Sequence, residues 1–192
     1  MARRSSRESL IEAGLQVFQL RGFSGCGVQD ITSLAGVPKG SFYNHFESKE
    51  ALALEVLGQF WARGATRREI LADATLDPIE RLRKHFQALS AAVIGHEFRR
   101  GCLIGNFSSE LPAWSEPVRE RLRGLYDEWV AAIGACVSEV EAAGCLRCSQ
   151  PASEVAAFLI NAWEGAVLKS KVDQSRVPLD QFERVVFSTV FK

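Results

Sequence analysis

The sequence has no net charge, because 23 lysines and arginines balance 23 aspartates and glutamates. That balance removes overall charge as an argument for a polyanionic partner, although a locally basic face can still serve one. No run of about 18 apolar residues occurs, so no membrane-spanning helix and no membrane partner are expected. Nor does a basic, apolar, small-residue leader open the chain, and a cytoplasmic location is expected. The 5 cysteines (Cys26, Cys102, Cys136, Cys145 and Cys148) are odd in number and widely spread. In a reducing compartment that pattern is not a disulfide scaffold. Cys145-Leu-Arg-Cys148 is a lone C-x-x-C, and His45, His85 and His96 offer no spacing for two further zinc ligands, so no metal is expected. The pair reads as surface thiols or as an accessory redox pair. A glycine-rich phosphate loop is missing, as are G-x-S-x-G and H-E-x-x-H. A thiol-dependent enzyme needs a base beside its nucleophile, and the nearest histidine to Cys102 in sequence, His96, is six residues earlier. The chain is therefore expected not to be an enzyme and to need no cofactor.

What is present is helical patterning. Of the 192 residues 47% are hydrophobic, and only 6 are proline. Apolar residues recur at spacings of three and four, and no alternating strand pattern competes. Ser5 or Ser6 caps a first helix with Leu10, Gly14, Val17 and Phe18 inside, ended by Gly22. Ser48 caps a helix expected to run from Lys49 to about Leu71. Asp77-Pro78 opens another, ended near Gly95. A short piece lies between Gly101 and Leu111. Ser115 starts a long helix bearing Val118, Leu122, Leu125, Trp129, Ile133, Cys136 and Val140, and Gly144 stops it. Pro151 and Pro178 open the last two. The fold class expected is all-α, with about nine helices. Residues 1–47 form a small helix-turn-helix domain and residues 48–192 an effector-binding and dimerisation domain. Arg3, Arg4 and Arg7 precede or open the first helix, as a basic arm for a phosphate or as a solvated terminus.

Residues 28–49 organise the rest. Ile31, Leu34 and Ala35 form one apolar face of a short helix. Gly36 ends it, Val37 plugs the turn and Pro38 opens a second helix, held down by Phe42 and Phe46. Lys39, Gly40, Ser41, Tyr43, Asn44 and His45 then lie on or near its outer face. The pattern fits either the recognition half of a helix-turn-helix or an ordinary helical hairpin.

The stretch from Gly27 to Leu52, with Arg21-Gly22-Phe23 upstream, resembles the signature of the TetR family of transcriptional repressors. Thr32 departs from it, standing where that family usually has alanine. The resemblance implies a homodimer binding a double-stranded palindromic DNA operator, with a C-terminal domain whose small-molecule effector releases the DNA. Carried over position by position, Lys39, Ser41, Tyr43, Asn44 and His45 lie on the recognition helix, and Tyr43 matches a phosphate-contacting tyrosine. Asn44 and His45 face bases or backbone. Lys49 meets a phosphate from the start of the next helix, and Gln29 and Thr32 touch the DNA backbone. Dimerisation falls to the last two helices, residues 151–172 and 178–192.

The effector end reads two ways. Gly101-Cys102-Leu103, with Ser109-Glu110 and Leu168-Lys-Ser-Lys171, resembles the electrophile-sensing branch of the family, the one that responds to N-ethylmaleimide. That resemblance implies a reactive Cys102 with Lys171 nearby. Arg99, Arg100 and a helix start would favour its thiolate. In the other reading Phe86, Phe98, Phe107, Trp129 and Trp163 line an apolar pocket. Asn161, Glu164, Lys171 or an arginine then anchors a small acid. The same aromatic set also fits a plain core, and Cys102 a small buried hydrophobe.

Overall fold

The computed structural model describes residues 5–192, which form ten α-helices and no strand. Arg3 and Arg4 of the basic arm lie outside the described residues. Each cap read from sequence is made. Ser5 Oγ accepts from Glu8 N (3.2 Å) while Glu8 returns a carboxylate to Ser5 N (2.9 Å), opening α1 (Ser6–Arg21). Gly22 ends it at φ 74°, and Gly36 ends α2 (Val28–Ala35) at φ 67°. The turn leads to α3 (Lys39–Tyr43) and, behind Ser48, to α4 (Lys49–Arg63).

The expected single helix from Lys49 to Leu71 is interrupted at Gly64. A short α5 (Ala65–Glu69) and a 3₁₀ turn (Ile70–Ala72) follow. Glycine has a low helix propensity, and here side chains take carbonyls from the helical ladder. His85 Nδ1 lies 2.7 Å from the Arg67 carbonyl oxygen, and Arg81 Nη1 donates to that of Leu71 (3.1 Å). Both come from α6 (Pro78–Ile94), whose first amides are capped by Asp77. Then come α7 (Leu103–Glu110), α8 (Glu116–Ala142), α9 (Ala152–Asp173) and α10 (Val177–Thr189). Ten α-helices replace the expected nine because of the break at Gly64.

Two compact units emerge. The first comprises the chain up to Arg63 together with Cys102–Arg123; the second comprises Gly64–Gly101 and Gly124–Lys192. This division differs from a boundary between residues 47 and 48. In the first unit Leu52, Ala53, Val56 and Leu57 of α4 are fully buried, and Leu52 presses so close to Gly14 of α1 that a Cβ there would lie 3.1 Å away. The ring of Phe107, on α7, meets Phe18 edge-on at 5.3 Å and Phe23 at 6.2 Å. Both α4 and α7 thus belong to the core that holds α1–α3. The second unit has its own core, which includes Leu82, Phe86, Ile133, Val137, Leu159 and Ile160. No helix among the described residues is long and apolar enough to cross a membrane.

Candidate nucleic-acid interface and effector site

The helix-turn-helix rests on a small apolar core. Ile31 and Phe42 are fully buried, and the Phe42 and Phe46 rings pack at 5.7 Å. Asp30 opens α2 by accepting from Gly27 N (2.8 Å) and pairs with Arg21 (2.9 Å). The Gly27 amide, more than the arginine, holds the Asp30 carboxyl below its ordinary range. Leu34, expected on the inner face, is 53% exposed, because α2 is covered only on the side of Ile31 and Thr32.

Lys39, Tyr43, Asn44, His45 and Gln29 are exposed and Ser41 is partly so. Tyr43 is 57% exposed, and its ring lies edge-on to Phe42 at 5.3 Å. The second helix is shorter than expected. Asn44 and His45 sit in the turn after α3, where the amides of His45 and Phe46 both bond the Phe42 carbonyl (2.9 Å each). Gln29 Nε2 donates to Ser33 Oγ (3.1 Å) along the exposed side of α2.

Three side chains considered for contact with the DNA backbone are engaged within the protein instead. Thr32 is fully buried and its hydroxyl donates to the Gln29 carbonyl (3.2 Å), so it fills space between helices rather than facing outward. Lys49 turns inward, donating from Nζ to the carbonyls of Phe23 (2.8 Å) and Cys26 (2.7 Å). Arg7 is no arm, since it lies within α1, pairs with Glu55 (2.8 Å) and covers the Phe46 ring.

Cys102 is the N-cap of α7 and is 8% exposed; its carbonyl accepts from Asn106 N (2.9 Å). At the other end of α7 Glu110 accepts from the amides of Phe23 (3.2 Å) and Ser24 (2.7 Å). Sequence reasoning missed this contact, whose partners lie 87 and 86 residues away. Phe107, expected in an effector pocket, packs with Phe18 and Phe23 in the first unit.

Trp129, Trp163 and Lys171 belong to the second unit. There the Trp129 and Trp163 rings meet at 5.9 Å, nearly perpendicular. Trp129 Nε1 donates to His85 Nε2 (3.2 Å), and Trp163 Nε1 donates to Ser90 Oγ (3.0 Å). Since His85 Nε2 accepts, its Nδ1 carries the proton and donates to Arg67. His85 was also missed, although its place beside Phe86 on the inner stripe of α6 was a signal. Arg81, four residues earlier, is also buried and pairs with Glu139 through both terminal nitrogens.

Burial pushes His85 down to about 4, against the raising effect of the Arg67 carbonyl. The folded value lies below the unfolded one near 6.5, so the unfolded chain takes up the extra proton as the pH falls. The stability tied to neutral His85 is full above about pH 6.5 and is lost between there and pH 4, to a total of about 3 kcal/mol. His85→Gln is expected to flatten this part of a urea-midpoint profile against pH. An unchanged slope would assign it to other groups.

Comparison with known proteins agrees with this geometry. Residues 10–56 match the family described as bacterial regulatory proteins, tetR family, and residues 78–186 match the tetracyclin repressor-like C-terminal domain. The chain is 45% identical over 191 residues to the transcriptional repressor DhaR of Mycobacterium sp. (strain GP1), covering 99% of this chain and 94% of that one. The crystal structure of a regulatory protein TetR from Rhodobacter sphaeroides superposes with a TM-score of 0.90 at 32% identity, covering 97% of this chain and 99% of that one. The reduced form of Escherichia coli NemR gives 0.82 at 27% identity, covering 97% of each.

Proposed function

Because this chain belongs to the TetR family of bacterial transcriptional regulators, we propose that it is a homodimeric repressor of a palindromic operator, released by an effector sensed at Cys102. DNA binding by a helix-turn-helix and a ligand-responsive C-terminal domain come with the family. The operator symmetry, the dimer and the electrophile are our reading. Its main support is the exposed group Lys39, Tyr43, Asn44 and His45, on and just after a five-residue helix that is propped on Phe42 and Phe46. Paired copies of this helix must sit one helical turn apart, roughly 34–36 Å, to read a palindrome. An effector that changes this distance lowers the affinity.

The test is an anisotropy titration on DNA from upstream of the protein's own coding sequence. Tyr43→Ala is expected to weaken binding about tenfold on every sequence, as loss of a phosphate contact does. Tyr43→Phe should share most of that loss if the hydroxyl makes the contact. Asn44→Ala is expected to relax discrimination at one base position per half-site, by about 1–3 kcal/mol. Binding that is indifferent to all three variants contradicts the assigned face.

The electrophile branch rests on Gly101-Cys102-Leu103, with Lys171 on α9 as the second residue of that resemblance. DhaR is more similar to this chain than NemR is, so the branch stays within the proposal. A second reading has one observation in its favour. In the second unit Arg67 Nε is buried and has no hydrogen-bond acceptor, and a small carboxylate would supply one. Calorimetric titration with small unsaturated acids, against Arg67→Met, separates a non-covalent acid sensor from a thiol sensor.

A further inference from the structure

We propose that Lys49 and Glu110 form a charge clamp on the loop from Gly22 to Cys26, and that both are positioning residues for operator binding. The inference rests on the operator-binding reading above, and it gives Lys49 an internal role in place of a phosphate contact.

The loop joins α1 to the helix-turn-helix and contains Gly22 and Gly25, with Gly27 immediately after. So glycine-rich a segment has much backbone freedom to lose, and α2 is held in place only if the loop is. The α1 end uses one amide, Gly22 N, which bonds the Phe18 carbonyl (2.9 Å). Glu110 takes the next two, one on each carboxylate oxygen: Phe23 N on Oε1 at 3.2 Å and Ser24 N on Oε2 at 2.7 Å. It approaches across Gly22, where a Cβ would lie 2.2 Å from Oε1, so no side chain fits there without moving the carboxylate.

The loop's carbonyls face the opposite charge. Lys49 Nζ donates to Phe23 O and Cys26 O, and it stands 4.0 Å from the centroid of the Phe23 ring. An ammonium has three protons. Two go to carbonyls and the third faces a ring that attracts cations, which leaves no donor for a phosphate. The anion is the last residue of α7 and the cation the first of α4. The loop therefore ties three helices of one compact unit together immediately before α2 begins.

Charge alone predicts different results from the clamp. An acidic residue in a DNA-binding unit opposes the phosphates, so its neutralisation should tighten binding, whereas the clamp predicts weakening. A lysine on a phosphate contributes to the salt dependence of binding, with a slope change of about one per contact; a lysine on two carbonyls does not.

Operator affinity is measured for the full chain, Glu110→Gln, Lys49→Met and the double variant across a potassium chloride series. Each single change is expected to weaken binding about tenfold, the worth of one charge-assisted hydrogen bond, with an unchanged salt slope. The double variant should fall short of the product of the two, because both act on one loop. Glu110→Gln binding as tightly as wild type or tighter, or Lys49→Met lowering the slope by about one per protomer, overturns the proposal. Amide hydrogen exchange guards against general unfolding: Phe23 and Ser24 should lose protection in Glu110→Gln while α1 and α4 keep theirs. Unchanged exchange at those two amides sinks the clamp alone. A wild-type chain that binds no operator sinks the repressor reading and the positioning role with it.

Discussion

A chain carrying Leu168→Glu and Val172→Glu is expected to run as a monomer and to lose operator affinity by about 10²–10⁴, the gain that linking two sites gives. Helix α9 carries apolar residues on two sides. Its buried side includes Val155, Leu159, Trp163 and Val167, each at most 5% exposed. Its other side leaves Phe158 at 57%, Leu168 at 52% and Val172 at 77%, with Gly165 between them facing open space. Positions 158, 161, 165, 168 and 172 step by three and four, the spacing of a seam that packs against another helix. Val177 and Val185 on α10 are likewise more than half exposed. In the proposed homodimer two copies of this pair of helices would make an isologous four-helix bundle that covers these apolar groups. Carboxylates placed there meet their own copies across the axis, and like charges at close quarters cost several kcal/mol. Both positions are exposed in the monomer, so helix content by circular dichroism should not change. Light scattering reads the mass, and a variant that remains dimeric moves the interface away from α9.

How far sequence alone reaches is clear from particular residues. Ser5, Asp77, Ser115, Gly22, Gly36 and Gly144 act on backbone groups within four or five positions, and all are where their local chemistry requires. The stripe on α8 was legible for a similar reason: a helical period repeated over 27 residues leaves little choice of face. The inward turn of Lys49 is not legible in sequence, because its acceptors are carbonyls 26 and 23 residues upstream and nothing in a lysine's neighbours says that two carbonyls converge on it. The end of the helical ladder after Arg67 depends in part on His85, 18 residues further on. Leu34 fits the period of α2, but so short a helix has too little neighbouring chain to cover its whole apolar face. For Lys49 and for the helix after Arg67 a distant partner decided how a locally well-read residue is used.

The same distinction frames the second large effect. N-ethylmaleimide is expected to abolish operator binding in step with modification of Cys102, and Cys102→Ser should bind the operator and ignore the reagent. In the reaction the thiolate adds across the ring double bond. A sulfur–carbon bond forms, the neighbouring carbon takes a proton, and no electron donor or acceptor is needed. The competing thiols are of two kinds, buried and partly exposed. Burial pushes Cys136 up to about 11 and also raises Cys26, so both hold little thiolate at neutral pH. Cys145 and Cys148 are partly exposed and should react readily without effect on DNA binding, so both are replaced by serine in the test protein. The consequence at Cys102 follows from packing. The residue is 8% exposed, and Leu103, Ile104 and Phe107 behind it are at most 1% exposed. A close-packed interior cannot admit a succinimide ring without displacing a helix. The helix displaced first is α7, whose far end holds the loop before α2 through Glu110. Mass spectrometry counts the adduct and maps it while anisotropy follows the DNA. A protein fully modified at Cys102 that still binds its operator, or release that persists in Cys102→Ser, would remove the thiol switch and leave the non-covalent acid sensor as the remaining reading.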